Sequence, residues 1–224
     1  MSYGFTVKVQ GDYACFSRPE LKVERVSYEV MTPSAARGIL EAVMWKPEIK
    51  YVIDEIAVCA PIKMENIRRN EVNAKIPHLS ADNAAKRLAE NRLRLDASGD
   101  RAQRAAMVLR DVCYVVKAHF ELTGKAGDED TADKYTAIIR RRLEKGQCFH
   151  TPYLGCREFP ARLSLAEETY STIPENRSLG LMFYDFEYET TVEQGETTVG
   201  FKPIYFMAEL KNGVIDLREV DKLK

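Results

Sequence analysis

From Ala106 to Leu122 the chain alternates without a break. Val108, Val112, Tyr114, Val116, Ala118 and Phe120, with Arg110 among them, share one parity, and Leu109, Asp111, Cys113, Val115, Lys117, His119 and Glu121 share the other. A period of two over so long a stretch specifies a β-strand, because successive strand side chains point to opposite faces. A strand must satisfy its backbone groups on neighbours, so the chain is expected to build a sheet.

The other elements follow from similar signals. Tyr3 to Phe16 alternates through Phe5, Val7 and Val9 and predicts a strand with a bulge or bend at Gly11. Thr32-Pro33 is an N-cap followed by proline at the first helical position, Ala36, Ile39, Leu40, Val43 and Met44 recur at helical spacing, and Lys46-Pro47 ends the helix. Tyr51 to Ile62 is β-branched and reads as a second strand, with Ala106 to Leu122 as the third. A helix with Tyr135, Ile138, Ile139 and Leu143 on one face follows a cap at Asp130 or Thr131 and closes at Gly146. Arg157 to Leu165 supplies a fourth strand.

Strand, helix, strand, strand, helix, strand is the α+β ferredoxin-like plan, shared with RNA-recognition-motif domains. Residues 1–172 are therefore expected to form this domain. Residues 64–104 interrupt it with a long polar excursion, helix-compatible from Asp82 to Leu95. Residues 173–224 are expected to form a small antiparallel annex of three short strands, Leu181 to Thr191, Thr197 to Leu210 and Gly213 to Leu217, joined by turns at 193–196 and 211–213.

Charge divides the chain unevenly. Residues 1–157 carry 26 basic and 21 acidic side chains, residues 158–224 carry 7 and 13, and an anionic ligand is expected on the basic part. Arg68, Arg69, Arg92, Arg94, Arg101 and Arg104 crowd the excursion, interleaved with acids that suit a solvated face equally well. No apolar run is long enough to span a bilayer and no signal core follows the N-terminus, so a cytoplasmic protein without membrane partners is expected.

Several chemistries lack their motifs. Gly124-Lys125 has no phosphate-loop context, and Asp128-Glu129-Asp130 lacks the glycine and glutamate of a calcium loop. His78, His119 and His150 are far apart, and the five cysteines form no C-x-x-C pair, so neither zinc nor a disulfide framework is indicated. No metal or other cofactor is expected. Lys117-Ala118-His119 is the most informative triplet: on a strand its two ionisable side chains share a face, roughly 7 Å apart. A cation beside an imidazole suits attack of a ribose 2′-hydroxyl on the adjacent phosphate, one group moving the proton and the other stabilising charge on phosphorus. An ordinary strand with a snorkelling lysine has the same pattern.

Gly11-Asp12-Tyr13-Ala14-Cys15-Phe16, Ser27-Tyr28, Met31 to Leu40, Trp45-Lys46-Pro47, Val52-Ile53-Asp54-Glu55-Ile56, Lys117-Ala118-His119-Phe120 and Leu154-Gly155-Cys156-Arg157-Glu158 together resemble the fifth family of CRISPR-associated proteins, subtype I-C branch, across residues 3–165. The resemblance implies a ferredoxin-like endoribonuclease that cuts precursor CRISPR RNA at the repeat hairpin and keeps the 5′ handle. It implies as partners precursor and mature CRISPR RNA, the backbone and large subunits of the surveillance complex, and target DNA indirectly. The family's site is a tyrosine at the end of the first helix with the lysine and histidine of the third strand, so Lys117 and His119 carry over. Met44 stands where the tyrosine belongs; either Tyr51, Tyr28 or Tyr13 replaces it, with Tyr51 taken as the candidate, or the activity rests on Lys117 and His119 alone. Arg37 and Trp45 join the six arginines as expected RNA contacts. The rival readings are a non-catalytic scaffold that caps the backbone filament and holds the handle, and a metal-dependent nuclease using acids such as Asp111 and Glu121.

Overall fold

The computed structural model describes residues 4–21, 23–74, 80–89, 98–193 and 196–223. Strand β1 (Phe5–Ala14) and the short β2 (Arg25–Val26) precede helix α1 (Pro33–Val43). Thr32 caps α1, its hydroxyl accepting from the Ala35 N–H at 3.3 Å, and Pro33 occupies the first turn where no N–H is needed. Strands β3 (Ile49–Val58) and β4 (Met64–Val72), helix α2 (Ala81–Ala89), strand β5 (Arg101–Leu122), helix α3 (Ala132–Glu144) and strand β6 (Arg162–Leu165) follow. The chain ends with β7 (Arg177–Glu193), β8 (Glu196–Leu210) and β9 (Val214–Asp216).

The main sheet runs β6-β1-β5-β3-β9, each neighbour antiparallel to the next. Even-numbered β5 residues Val116, Ala118 and Phe120 lie in one buried cluster with Ile39, Leu40 and Val43 of α1 and Tyr135, Ile139 and Leu143 of α3. Both helices therefore cover the same face, and Arg142 of α3 donates to the Val43 carbonyl of α1 at 2.6 Å. Burying each of these aliphatic or aromatic side chains stabilises the fold by about 1.5–3 kcal/mol before entropy is counted. Odd-numbered β5 residues, Lys117 and His119 among them, point to the face away from the helices.

The polar excursion is partly a sheet. Met64–Val72 pairs along its length with Arg101–Leu109, so β5 begins five residues earlier than its apolar alternation indicates. Beyond Leu109, β5 leaves β4 for β1 and β3, with Asp111 at φ 52° beside the change of partner. The expected third annex strand also finds a different neighbour: β7 and β8 form a two-stranded hairpin, whereas β9 pairs with β3 of the main sheet. The five cysteines are free, Cys15 buried and the other four half-buried. No described helix is long and apolar enough to cross a membrane.

Candidate active site

Strand geometry puts Lys117 and His119 side by side, and β3 supplies a carboxylate to each. His119 Nδ1 lies 2.9 Å from both oxygens of Asp54, and Lys117 Nζ lies 2.7 Å from Glu55 Oε2. Two consecutive strand residues ordinarily face opposite ways. Here Asp54 shares the face of Val52, which pairs with His119, and the β3–β5 register shift between Ile53 and Glu55 brings Glu55 to the same face, opposite Lys117. The bulge is tied from behind, since the Leu217 N–H donates to the Asp54 carbonyl at 2.8 Å. Arg218 then reaches the second oxygen of Glu55 at 3.2 Å and also holds Asp216, whose carboxyl it lowers to about 2.

Glu55 keeps the Lys117 ammonium above its ordinary pKa, so it remains charged. Lys117 lines a cleft of about 670 Å³ that takes residues from both faces of the sheet, Thr6, Glu167 and Tyr170 with Thr136 and Arg140 of α3, and Tyr170 adds to the raising of the ammonium pKa. A fixed cation that lines a cleft, with a half-buried imidazole two residues along the same strand face, is suited to moving a proton and stabilising a phosphorane.

Tyr51 does not join them. It pairs with Phe120, on the helix-covered face, where its hydroxyl donates to the Met44 carbonyl at 2.7 Å and burial raises its pKa. Parity decides this: Tyr51 and His119 belong to opposite faces whatever rotamers they adopt. Tyr28 is buried and accepts from the Phe183 N–H, Tyr13 packs against Phe159, and Met44 is in the hydrophobic core.

The expected RNA contacts divide. Arg68 and Arg101 share one face of the β4–β5 arm and are exposed, with no ion pair to another described residue. Arg69 and Arg104 occupy the other face, where they and Arg25 form ion pairs with Glu71, and Arg69 and Arg25 also with Glu158. Arg37 is held by Asp185 and Glu41, a tie between α1 and β7. Trp45 is exposed just past α1. Arg92, Arg94 and His78 lie outside the described residues. Among the described residues no three metal-ligating side chains cluster. Asp111 and Glu121, ten residues apart on β5 and so separated by about 33 Å, do not converge.

Sequence reasoning missed Asp54, Glu55, Arg218 and Tyr170 as neighbours of the pair. Adjacent acids inside an apolar strand were the one available signal; Arg218 and Tyr170 carried none.

The family model described as "CRISPR-associated protein (Cas_Cas5)" matches residues 4–218. A protein of Mannheimia succiniciproducens named CRISPR pre-crRNA endoribonuclease Cas5d is 48% identical over 224 residues, covering 97% of this chain and 96% of that one. A Thermus thermophilus protein of the same name is 40% identical, covering 94% and 90%. Among solved structures, a CRISPR-associated protein superposes with a TM-score of 0.66 at 24% identity, and a functionally uncharacterized protein of Streptococcus mutans with 0.67 at 23%, each covering 97% of this chain and 93% of the other.

Proposed function

The chain belongs to the Cas5 family of CRISPR-associated proteins, and from that premise we propose that it is an endoribonuclease cutting precursor CRISPR RNA at the repeat hairpin. In this reading it belongs to the subtype I-C branch, works in the cytoplasm, keeps the 5′ handle and stays with the backbone and large subunits of a surveillance complex. The observation that carries the reading is the Lys117–His119 pair, two residues apart on one face, with Lys117 opening onto a cleft. His119 exchanges the proton, Lys117 stabilises the phosphorane, and no metal takes part.

The finer fold assignment is part of the same proposal. Strand order β6-β1-β5-β3, with the four counted in chain order, is the 4-1-3-2 arrangement of a ferredoxin-like sheet, which supports that reading for residues 1–172. The hairpin β7–β8 is the annex, and residues 64–104 are the RNA-gripping insertion, with Arg68 and Arg101 among its exposed cations.

Purified protein incubated with a precursor repeat RNA in EDTA tests the activity. Cleavage at one position is expected, with a 2′,3′-cyclic phosphate upstream and a 5′-hydroxyl downstream. His119→Ala should cut roughly 10²- to 10⁴-fold more slowly in single turnover while holding the RNA. Binding without cutting overturns the enzymatic reading in favour of the scaffold, the reading favoured by Met44 at the family tyrosine position. Cutting only after a divalent ion is restored overturns the metal-independent route.

A further inference from the structure

We infer that Asp54 is a positioning residue: its carboxylate, on the face of β3 that pairs with His119, meets His119 Nδ1 so that the opposite nitrogen, Nε2, is the proton acceptor of the reaction. The inference rests on the reading of His119 and Lys117 as the cutting pair and deepens it. Three observations carry it. Asp54 meets the ring at 2.9 Å through both oxygens. Val52 pairs with His119, so Asp54, two residues on, belongs to the same face, and the register shift at Ile53/Glu55 adds Glu55 to that face and leaves Asp54 free to turn to the ring. The Asp54 backbone is fixed by the Leu217 N–H on its carbonyl, one residue past the β9 strand that pairs with β3.

A carboxylate at Nδ1 accepts its N–H, so the neutral imidazole carries its lone pair on Nε2. Nε2 takes the proton of the ribose 2′-hydroxyl as the 2′-oxygen forms its bond to phosphorus. The bond from phosphorus to the 5′-oxygen breaks, that oxygen collects a proton from water, and His119 returns its own proton to solvent. Lys117 stays charged throughout and is not a proton source, because Glu55 holds it. The two carboxylates thus have separate duties: Glu55 maintains a cation and Asp54 selects a tautomer. Half-buried surroundings make the choice effective, as water competes poorly for Nδ1 there.

The test uses the full chain with its repeat RNA and the ring nitrogens of His119 labelled with 15N. Asp54→Ala should slow single-turnover cleavage roughly 10²-fold or more, leave RNA affinity unchanged, and shift His119 from the Nδ1–H form to a mixture. Asp54→Glu should restore part of the rate and of the Nδ1–H population. A purely structural Asp54 would change unfolding without changing the tautomer. If Asp54→Ala retains both rate and tautomer while His119→Ala is inactive, the positioning role is overturned and the cutting pair stands. If His119→Ala cuts at the parent rate, the reading of the pair fails as well. Should Asp54→Ala not fold, Asp54→Asn keeps the shape, and an unchanged rate and tautomer there overturn the inference equally.

Discussion

Arg37 on α1 grips Asp185 on β7 through two parallel hydrogen bonds, Nε to Oδ2 and Nη2 to Oδ1, both 2.8 Å. The pair fastens the C-terminal hairpin to the helix over the main sheet, and Glu41 closes it from the next turn of α1. Charge-assisted bonds in this geometry contribute about 1.5–3 kcal/mol. Arg37→Ala should therefore lower unfolding free energy in urea by about that amount, with Asp185→Ala adding little to it. RNA affinity of the folded variant should match the parent, because this arginine is already occupied.

Gly155 should tolerate no side chain. Its φ is +82°, and a Cβ would stand 2.0 Å from the Cys15 carbonyl oxygen and 2.6 Å from its carbon, backbone atoms with nowhere to go. The approach serves the bond from the Cys15 N–H to the Leu154 carbonyl at 3.0 Å, which joins the 154–156 turn to β1. Gly155→Ala should cost about 3 kcal/mol or more in thermal or urea unfolding. Gly124→Ala, with no atom within 4 Å of its Cβ, is the neutral control.

Acid should loosen the start of α3 through Asp130. The Tyr135 hydroxyl bonded to it, the Gly127 N–H and Lys134 lower its carboxyl from 3.8 to about 2. A carboxyl depressed on folding stabilises the native state above its unfolded value and loses that contribution as pH falls through the folded one. The stability difference between the parent and Asp130→Asn should be full above pH 3.8 and fade towards pH 2, read from unfolding midpoints across that range.

The two faces of the β4–β5 arm should separate RNA grip from stability. Arg68→Ala with Arg101→Ala should weaken RNA binding and reduce the salt slope of log K by about 1.4, two single-strand phosphate contacts at 0.7 each. Arg69→Ala with Arg104→Ala should instead lower thermal stability, because Glu71 loses two of its partners. An unchanged salt slope in the first variant would move the RNA path away from this arm.

Elements with one buried face were legible in the chain. α1, α3 and the second half of β5 each bury a stripe at the period of their own structure, so apolar spacing named them. β4 was not legible, because one face carries exposed Asn66, Arg68 and Asn70 while the half-buried face is filled by Arg69 and Glu71 in ion pairs rather than by an apolar stripe. Nor was the pairing of β9 with β3: three residues carry too short a pattern to name a partner.

In the site, alternation along β5 is enough to put Lys117 and His119 on one face, since covalent geometry makes side chains alternate along any strand. What faces them depends on long-range pairing. Register between β3 and β5 arises from hydrogen bonds and packing summed across residues some sixty positions apart, and no local spacing encodes that sum. It placed Tyr51 opposite Phe120 on the covered face and, through one extra residue in β3, turned Glu55 onto the open one beside Asp54.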